Sequence, residues 1–158
     1  MSLFITFQHI VPQHLLSRSV GYLAASENTF VKNTFIKNFA AKYQINMAEA
    51  LEENPLAYKS FNDFFTRALK PNARPIASDS KAIISPADGA ISQIGAITAD
   101  KIFQAKGHDY SVTTLLGGNE QRAAAFVGGQ FATVYLSPKD YHRVHMPING
   151  RLERTIYV

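Results

Sequence analysis

The chain has 158 residues, of which 46% are hydrophobic and 18% charged, a balance typical of a folded protein. A formal net charge of only +4, without a Lys/Arg run, argues against a dedicated nucleic-acid-binding protein. Because there is no cysteine, a disulfide framework, a zinc ribbon and a thiol nucleophile are excluded. The apolar runs are shorter than the ~18 residues of a membrane-spanning helix, and the start of the chain lacks the cationic residues of a signal peptide.

Two segments near the start of the chain predict amphipathic helices. Residues 3–16 place their apolar side chains on one helical face, and Pro12 is expected to kink this helix. Residues 29–43 repeat the pattern, with phenylalanines on one side and lysines on the other. Residues 1–47 contain four basic residues and one acidic residue. Such a helix pair can lie in a membrane interface or pack on its own domain, and both interpretations stay open.

A further helix in the middle of the chain has a clear start signal. Ser60 is a predicted N-cap, and Asp63 lies in the first turn, where a negative charge is favourable. Three apolar side chains form a stripe on this helix: Phe61, Phe64 and Phe65. We assign the stripe to a hydrophobic core rather than to a ligand site. A short helix is also predicted over residues 46–53, and an extended connector over 69–79.

After residue 80 the sequence changes to short strands and glycine turns. Asp88-Gly89 lies between two β-prone runs, residues 82–84 and 90–95, and this pattern predicts a β-hairpin. A strand with its turn is predicted over residues 102–110, followed by a short helix over 111–116 that Ser111 caps. A last strand is predicted over residues 131–136.

Together these segments predict an α+β fold, with amphipathic N-terminal helices before a β-rich, mostly antiparallel body. We divide the chain into a helical membrane-associating region (1–47), a helix with its connector (48–79) and a β-rich domain (80–158). Residues 156–158 have the pattern of a strand without a turn or a cap after it. We therefore expect the β-rich body to be truncated here and to continue beyond residue 158.

The densest group of polar residues follows the strand predicted over 131–136. A turn over residues 137–140 leads into Tyr-His-Arg-Val-His at 141–145, with three cation-capable side chains in four residues. His142 and His145 would share a face on a helix, but would point in opposite directions in an extended chain. Polar side chains this dense are poor core material, so we identify the segment as a candidate functional site.

Two chemistries stay open from these residues alone. Two histidines three residues apart can contribute to a zinc site, although no third ligand is marked in the sequence. A histidine oriented by an aspartate can instead act as a general base that activates a hydroxyl. Asp88 is the candidate orienting residue, or else a turn aspartate that bonds its own backbone. The serines nearest to these motifs are Ser85 and Ser137, and neither has the context of a nucleophile.

Four segments in combination carry a family resemblance: FNDFFTRALKPNARPI at 61–76, PADG at 86–89, AKGH at 105–108 and YLSPKDYHRVHMPINGRL at 135–152. They closely resemble the phosphatidylserine decarboxylase family. The resemblance implies a self-processing enzyme of phospholipid synthesis that converts phosphatidylserine to phosphatidylethanolamine. It also implies a covalent pyruvoyl cofactor, which in this family forms from the serine of a Gly-Ser-Thr motif. This chain lacks that motif, so we expect it in a separate, pyruvoyl-bearing C-terminal α chain.

The resemblance also implies roles for three residues, and the charge of the headgroup suggests two more. Asp88 and His145 match the family's charge-relay pair for self-cleavage, and His142 is expected to handle the substrate or its protonation. Arg143 and Lys139 could bind the anionic headgroup, or could be ordinary solvated charges. The expected partners are phosphatidylserine, the α chain and an anionic phospholipid membrane to which the protein binds peripherally. No metal and no nucleic acid are expected, and the 158 residues alone should be inactive.

Two functions of other classes remain as alternatives. A non-catalytic membrane-surface module would keep the decarboxylase fold without its serine, and would bind lipid without changing it. A histidine-based metal hydrolase would contain bound zinc, which elemental analysis would detect.

Overall fold

The structure, a computed structural model, describes residues 12–98, 101–104 and 108–158, and at 101–104, 108 and 109 it describes the backbone alone. The chain divides into two compact units, Met1–Pro75 and Ile76–Val158. Most of the helix predicted over residues 3–16 lies outside the described residues, and so does most of the AKGH segment. Both stay predictions.

The described part of the first unit is helical. Its elements are α1 (Gln13–Ala25), α2 (Thr29–Tyr43), a 3-10 turn (Met47–Glu49) and α3 (Phe61–Phe65). α1 starts directly after Pro12, a position where the missing proline N–H costs no helical hydrogen bond. Among the described residues, no helix combines the length and the apolar character that crossing a bilayer requires.

Side-chain caps define the starts of the other helices. The Asn28 side chain accepts the backbone N–H groups of Phe30 and Val31 at the start of α2. Ser60 caps α3 as predicted, because its hydroxyl accepts the backbone N–H of Asp63 at 3.2 Å.

The helix predicted over residues 46–53 is reduced to one 3-10 turn. Ala50 leaves the helical conformation (ψ 145°) and forms an antiparallel bridge with Leu69. Two backbone hydrogen bonds of 2.9 Å flank this bridge, from Leu51 to Ala68 and from Lys70 to Glu49. The long-range bridge replaces the next turn of the helix.

The core of the first unit forms around the phenylalanine stripe of α3, so the assignment of this stripe to a core is confirmed. Phe64 and Ile36 are 0% exposed and cluster with Tyr58. The Phe39 ring of α2 lies edge-on to the three α3 phenylalanines, with centroid distances of 5.0 Å to Phe61, 6.4 Å to Phe64 and 5.8 Å to Phe65. Edge-to-face pairs of this kind stabilise a core beyond simple apolar burial.

Arg67 closes this core from the end of α3. Its side chain is 4% exposed, and its guanidinium lies 5.8 Å from the centre of the Phe64 ring, within cation–π range. Burial lowers the pKa of Arg67 from its ordinary value, and the opposing effects of Tyr58 and Glu49 are smaller. The arginine of the FFTR sequence is therefore part of the core.

The second unit is built on antiparallel strands. Its elements are β1 (Ala90–Ala96), β2 (Lys101–Gln104), β3 (His108–Ser111), α4 (Val112–Leu115), α5 (Glu120–Ala124) and β4 (Gln130–Tyr135). β1 pairs with β4, and β2 pairs with β3. Ser111 caps α4 as predicted, and a small core of Ile97, Val112 and Ala123 lies against Phe131 of β4. The α+β prediction is confirmed.

The hairpin predicted around Asp88-Gly89 is wrong. Residues 82–84 form no strand, and β1 pairs with the distant β4 instead. The register shifts between Ile91 and Gln93, so that Ser92 is an extra residue in β1. Because Ile91 opposes Val134 and Ile94 opposes Ala132, the bulge puts both isoleucines on one exposed face of the ladder.

The strand predicted over residues 156–158 is also absent. Residues 151–158 have no assigned strand, and Tyr157 is fully exposed. β-prone residues form a strand only where a partner backbone accepts their hydrogen bonds, and the described residues offer none here.

Replacing Phe64 by alanine should destabilise the first unit strongly. We expect the free energy of unfolding to fall by about 3–5 kcal/mol, because the substitution leaves a cavity at a fully buried aromatic position. Urea denaturation followed by circular dichroism measures the change. The control is Phe30→Ala, at a side chain that is 81% exposed and should cost less than about 0.5 kcal/mol. Equal effects of the two substitutions would contradict the assignment of this core.

Candidate functional site

The two segments that carry the candidate residues lie side by side. The backbone N–H of His145 donates to the Pro86 carbonyl at 2.7 Å, and that of Ile84 donates to the Pro147 carbonyl at 3.0 Å. These two hydrogen bonds pair the segments in an antiparallel sense. In a regular antiparallel ladder each of these residue pairs would form a second, reciprocal hydrogen bond. Pro86 and Pro147 cannot donate it because proline has no N–H, so no regular ladder forms. The pairing brings PADG against the histidine segment.

Gly89 lets the PADG loop approach the end of β4. A Cβ atom at this position would lie 2.4 Å from the Tyr135 carbonyl oxygen, a distance that no side chain tolerates. Ala90 then pairs with Tyr135 as β1 begins. The half-buried carboxylate of Asp88 is therefore held where β1 starts beside the last residue of β4.

The turn predicted over residues 137–140 is confirmed. The backbone N–H of Asp140 donates to the Ser137 carbonyl at 2.9 Å, and the Asp140 carboxylate accepts the Ser137 N–H at 2.7 Å. Lys139 lies exposed on this turn, and the next residues carry the site's histidines.

His142 is fixed by the end of the same turn. Its Nδ1 lies 2.8 Å from the Asp140 carbonyl oxygen. Because a carbonyl oxygen can only accept, Nδ1 must carry a hydrogen, and in the neutral ring Nε2 is then the basic nitrogen. The half-buried His142 thus presents a defined tautomer.

His145 is held differently, through a residue that sequence reasoning missed. Its Nε2 lies 3.0 Å from the Tyr141 hydroxyl, and the two rings are nearly parallel, 23° apart, with centroids separated by 5.5 Å. Tyr141 is buried, whereas His145 lies at the surface. The signal in the sequence was weak, because an i, i+4 pair meets by rule only on a helix and this segment is not helical.

The structure therefore brings the predicted residues into one region with unequal exposure. Asp88 and His142 are half-buried, whereas His145, Arg143 and Lys139 are exposed.

The two serines considered from sequence are poor nucleophiles here. The Ser85 hydroxyl donates to the Ala87 carbonyl at 2.7 Å, and the Ser137 hydroxyl is buried. Within the described residues, no three His, Asp or Glu side chains are grouped so as to hold a metal ion.

Comparison with known proteins gives a consistent set of similarities. A family model described as phosphatidylserine decarboxylase matches residues 61–158, and a second model, described as PSD, matches residues 3–44. The chain is 56% identical to the phosphatidylserine decarboxylase proenzyme of Bordetella avium and 59% identical to that of Hahella chejuensis, in each case over 156 residues. Both alignments cover 99% of this chain and 53% of the relative. The chain thus spans about half the length of the curated relatives it matches.

Replacing Gly89 by alanine should loosen the site. The added methyl group must displace the Tyr135 carbonyl, so we expect β1 and β4 to separate locally, at a cost of roughly 1–3 kcal/mol. Hydrogen exchange of the β1 and β4 amides measures this loss. The control is Gly21→Ala in α1, where a Cβ atom meets nothing within 4 Å and alanine should stabilise the helix slightly. Unchanged protection of β4 in the Gly89 variant would contradict the close approach.

Proposed function

The chain belongs to the phosphatidylserine decarboxylase family, and from this premise we propose that it is the N-terminal, β-chain part of a self-processing decarboxylase. The complete protein would convert phosphatidylserine to phosphatidylethanolamine. The names of the two relatives support self-processing, since each is called a proenzyme. The observation that carries the proposal is the hydrogen bond from His145 to Pro86, because it joins the two motifs in one site.

Asp88 and His145 are the proposed pair for self-cleavage. A general base of this kind needs an orienting carboxylate and access to the hydroxyl that it activates. Asp88 lies two residues after Pro86, whose carbonyl binds the backbone of His145, and the exposed imidazole is accessible from outside this chain. The hydroxyl would come from a serine in the remaining part of the protein, the proposed α chain.

His142 is the proposed proton donor in the decarboxylation. With Nδ1 held by the Asp140 carbonyl, a protonated ring offers its second hydrogen from Nε2 in a fixed direction. A pyruvoyl group, when present, supplies an electrophilic carbonyl that reacts with an amine and withdraws electrons as carbon dioxide leaves. The residues present fit such a group, since the half-buried His142 can supply a proton and the exposed His145, Arg143 and Lys139 are accessible to a group brought by another part of the protein.

Lys139 and Arg143 are proposed to bind the anionic headgroup. Both side chains are exposed, and they flank His142 in the chain. Hydrogen bonds from ammonium and guanidinium groups to phosphate or carboxylate are stronger than those between neutral groups. A phospholipid headgroup bound there would lie next to the proposed proton donor.

Peripheral attachment to an anionic membrane is proposed for α1. Five large apolar or aromatic side chains of this helix are between 43% and 74% exposed: Leu15, Leu16, Val20, Tyr22 and Leu23. At 100° per residue they cover one side of the helix, and Arg18 lies outside that side. An apolar side of this kind can enter the headgroup boundary while the basic residue faces lipid phosphates.

In the complete protein, Asp88→Asn or His145→Ala should block self-cleavage. Each substitution removes one member of the proposed relay, so the protein should stay as one band on a denaturing gel where the unmodified protein gives two. His142→Ala should still be cleaved but should release carbon dioxide at least about tenfold more slowly, since it lacks the proton donor.

The control is His14→Ala, which removes an exposed imidazole of α1. It should be cleaved at the normal rate. Normal cleavage of both the Asp88 and the His145 variants would contradict the role assignment.

The double substitution Leu16→Ser and Leu23→Ser should weaken membrane attachment. These leucines are seven residues apart on the exposed apolar side of α1, and each loses favourable burial in lipid. We expect at least about a fivefold loss of co-sedimentation with phosphatidylglycerol-containing vesicles. Ile83→Ser with Leu152→Ser, at exposed sites of the second unit, is the matched control. Equal binding by the two double variants would contradict the role of α1.

A further inference from the structure

Tyr141 gives His145 a rigid neighbour. The tyrosine is 8% exposed, so its ring cannot follow the motions of a surface side chain, whereas His145 lies at the surface. The stacked rings and the 3.0 Å contact between the hydroxyl and Nε2 hold the imidazole through both its face and its edge. The backbone N–H of His145 is held separately by Pro86.

The hydroxyl contact matters because an imidazole has only two ring nitrogens. In a carboxylate–imidazole–hydroxyl relay, one nitrogen donates to the carboxylate and the other accepts the hydroxyl of the nucleophile. In this structure the Tyr141 hydroxyl lies at Nε2. Only Nδ1 is then left for a carboxylate, and the tyrosine oxygen stands where the hydroxyl of a nucleophile would stand.

We propose that Tyr141 is a positioning residue for self-cleavage, which holds Nε2 of His145 toward the place that the serine hydroxyl takes. This inference rests on the proposed function. The Tyr141 hydroxyl donates to Nε2, so that Nδ1 carries the hydrogen and can donate to a carboxylate. When the serine arrives, its hydroxyl replaces the Tyr141 hydroxyl as the hydrogen-bond donor to Nε2. This step exchanges hydrogen bonds, and no covalent bond changes.

The Tyr141→Phe variant distinguishes the contribution of the hydroxyl from that of the ring. Phenylalanine keeps the buried stack on His145 and removes the contact to Nε2 alone. In the complete protein we expect self-cleavage to slow by about threefold to tenfold, the effect of one neutral hydrogen bond. Tyr110→Phe is the matched control, because it removes a hydroxyl from a tyrosine that is 46% exposed in β3 and lies outside the proposed site and membrane surface. The control should be cleaved at the normal rate.

The tautomer of His145 gives a second readout, which a purely structural role of Tyr141 would not change. In ¹⁵N NMR spectra of the neutral ring in this chain, Nδ1 should show the signal of an N–H nitrogen and Nε2 that of an acceptor. In the Phe variant both tautomers should appear. The spectrum of the unmodified chain tests the inference even if the variant fails to fold, because an Nε2–H signal there would overturn it.

The outcomes separate this inference from the function on which it rests. If His145→Ala is cleaved normally, the proposed function fails. If His145→Ala blocks cleavage while Tyr141→Phe folds and is cleaved at the normal rate or faster, the positioning role alone fails. Slower cleavage of Tyr141→Phe together with a mixed tautomer supports the role.

Discussion

The hydrogen bond from the His145 backbone to the Pro86 carbonyl is the constraint on which the site depends. It joins segments that are far apart in the chain, and the second hydrogen bond, from Ile84 to Pro147, fixes their antiparallel register. Two prolines remove the reciprocal donors, so the pairing stays local and does not extend into a sheet. The backbones of the two segments are therefore aligned near the prolines, and their side chains remain available to react.

The alignment brings the two segments together, and separate local contacts then position each candidate side chain. Asp88 is placed by Gly89, whose missing side chain lets the loop approach the end of β4. His142 depends on the Asp140 turn, and His145 depends on the buried Tyr141. The two histidines thus have different supports, which is compatible with separate roles in self-cleavage and in decarboxylation. The phenylalanine core around Phe64 belongs to the other unit, where it packs α2 against α3.

Features set by local chemistry could be predicted from the sequence. The caps Ser60 and Ser111 and the turn closed by Asp140 depend on neighbours within a few residues, so residue type and spacing were sufficient. The stripe of α3 was also predictable, since three phenylalanines on a short helix have few alternatives to burial. The family followed from motifs in combination.

Features set by distant partners could not be predicted. Asp88-Gly89 has the pattern of a hairpin, but the preceding residues bond to the segment at Pro147, and β1 finds β4. The bulge at Ser92 reverses the alternation of side chains along β1, which no period-two pattern reveals. Tyr141 was missed for a similar reason, because its contact with His145 depends on an irregular backbone.

The central claim is that these residues are the N-terminal part of a self-processing decarboxylase. The nucleotide sequence that follows the codon for Val158 tests it most directly. The account predicts an open reading frame that continues to a Gly-Ser-Thr, whose serine would supply the hydroxyl for His145. A stop codon directly after Val158 would contradict it, because the proposed base would then have no nucleophile to activate.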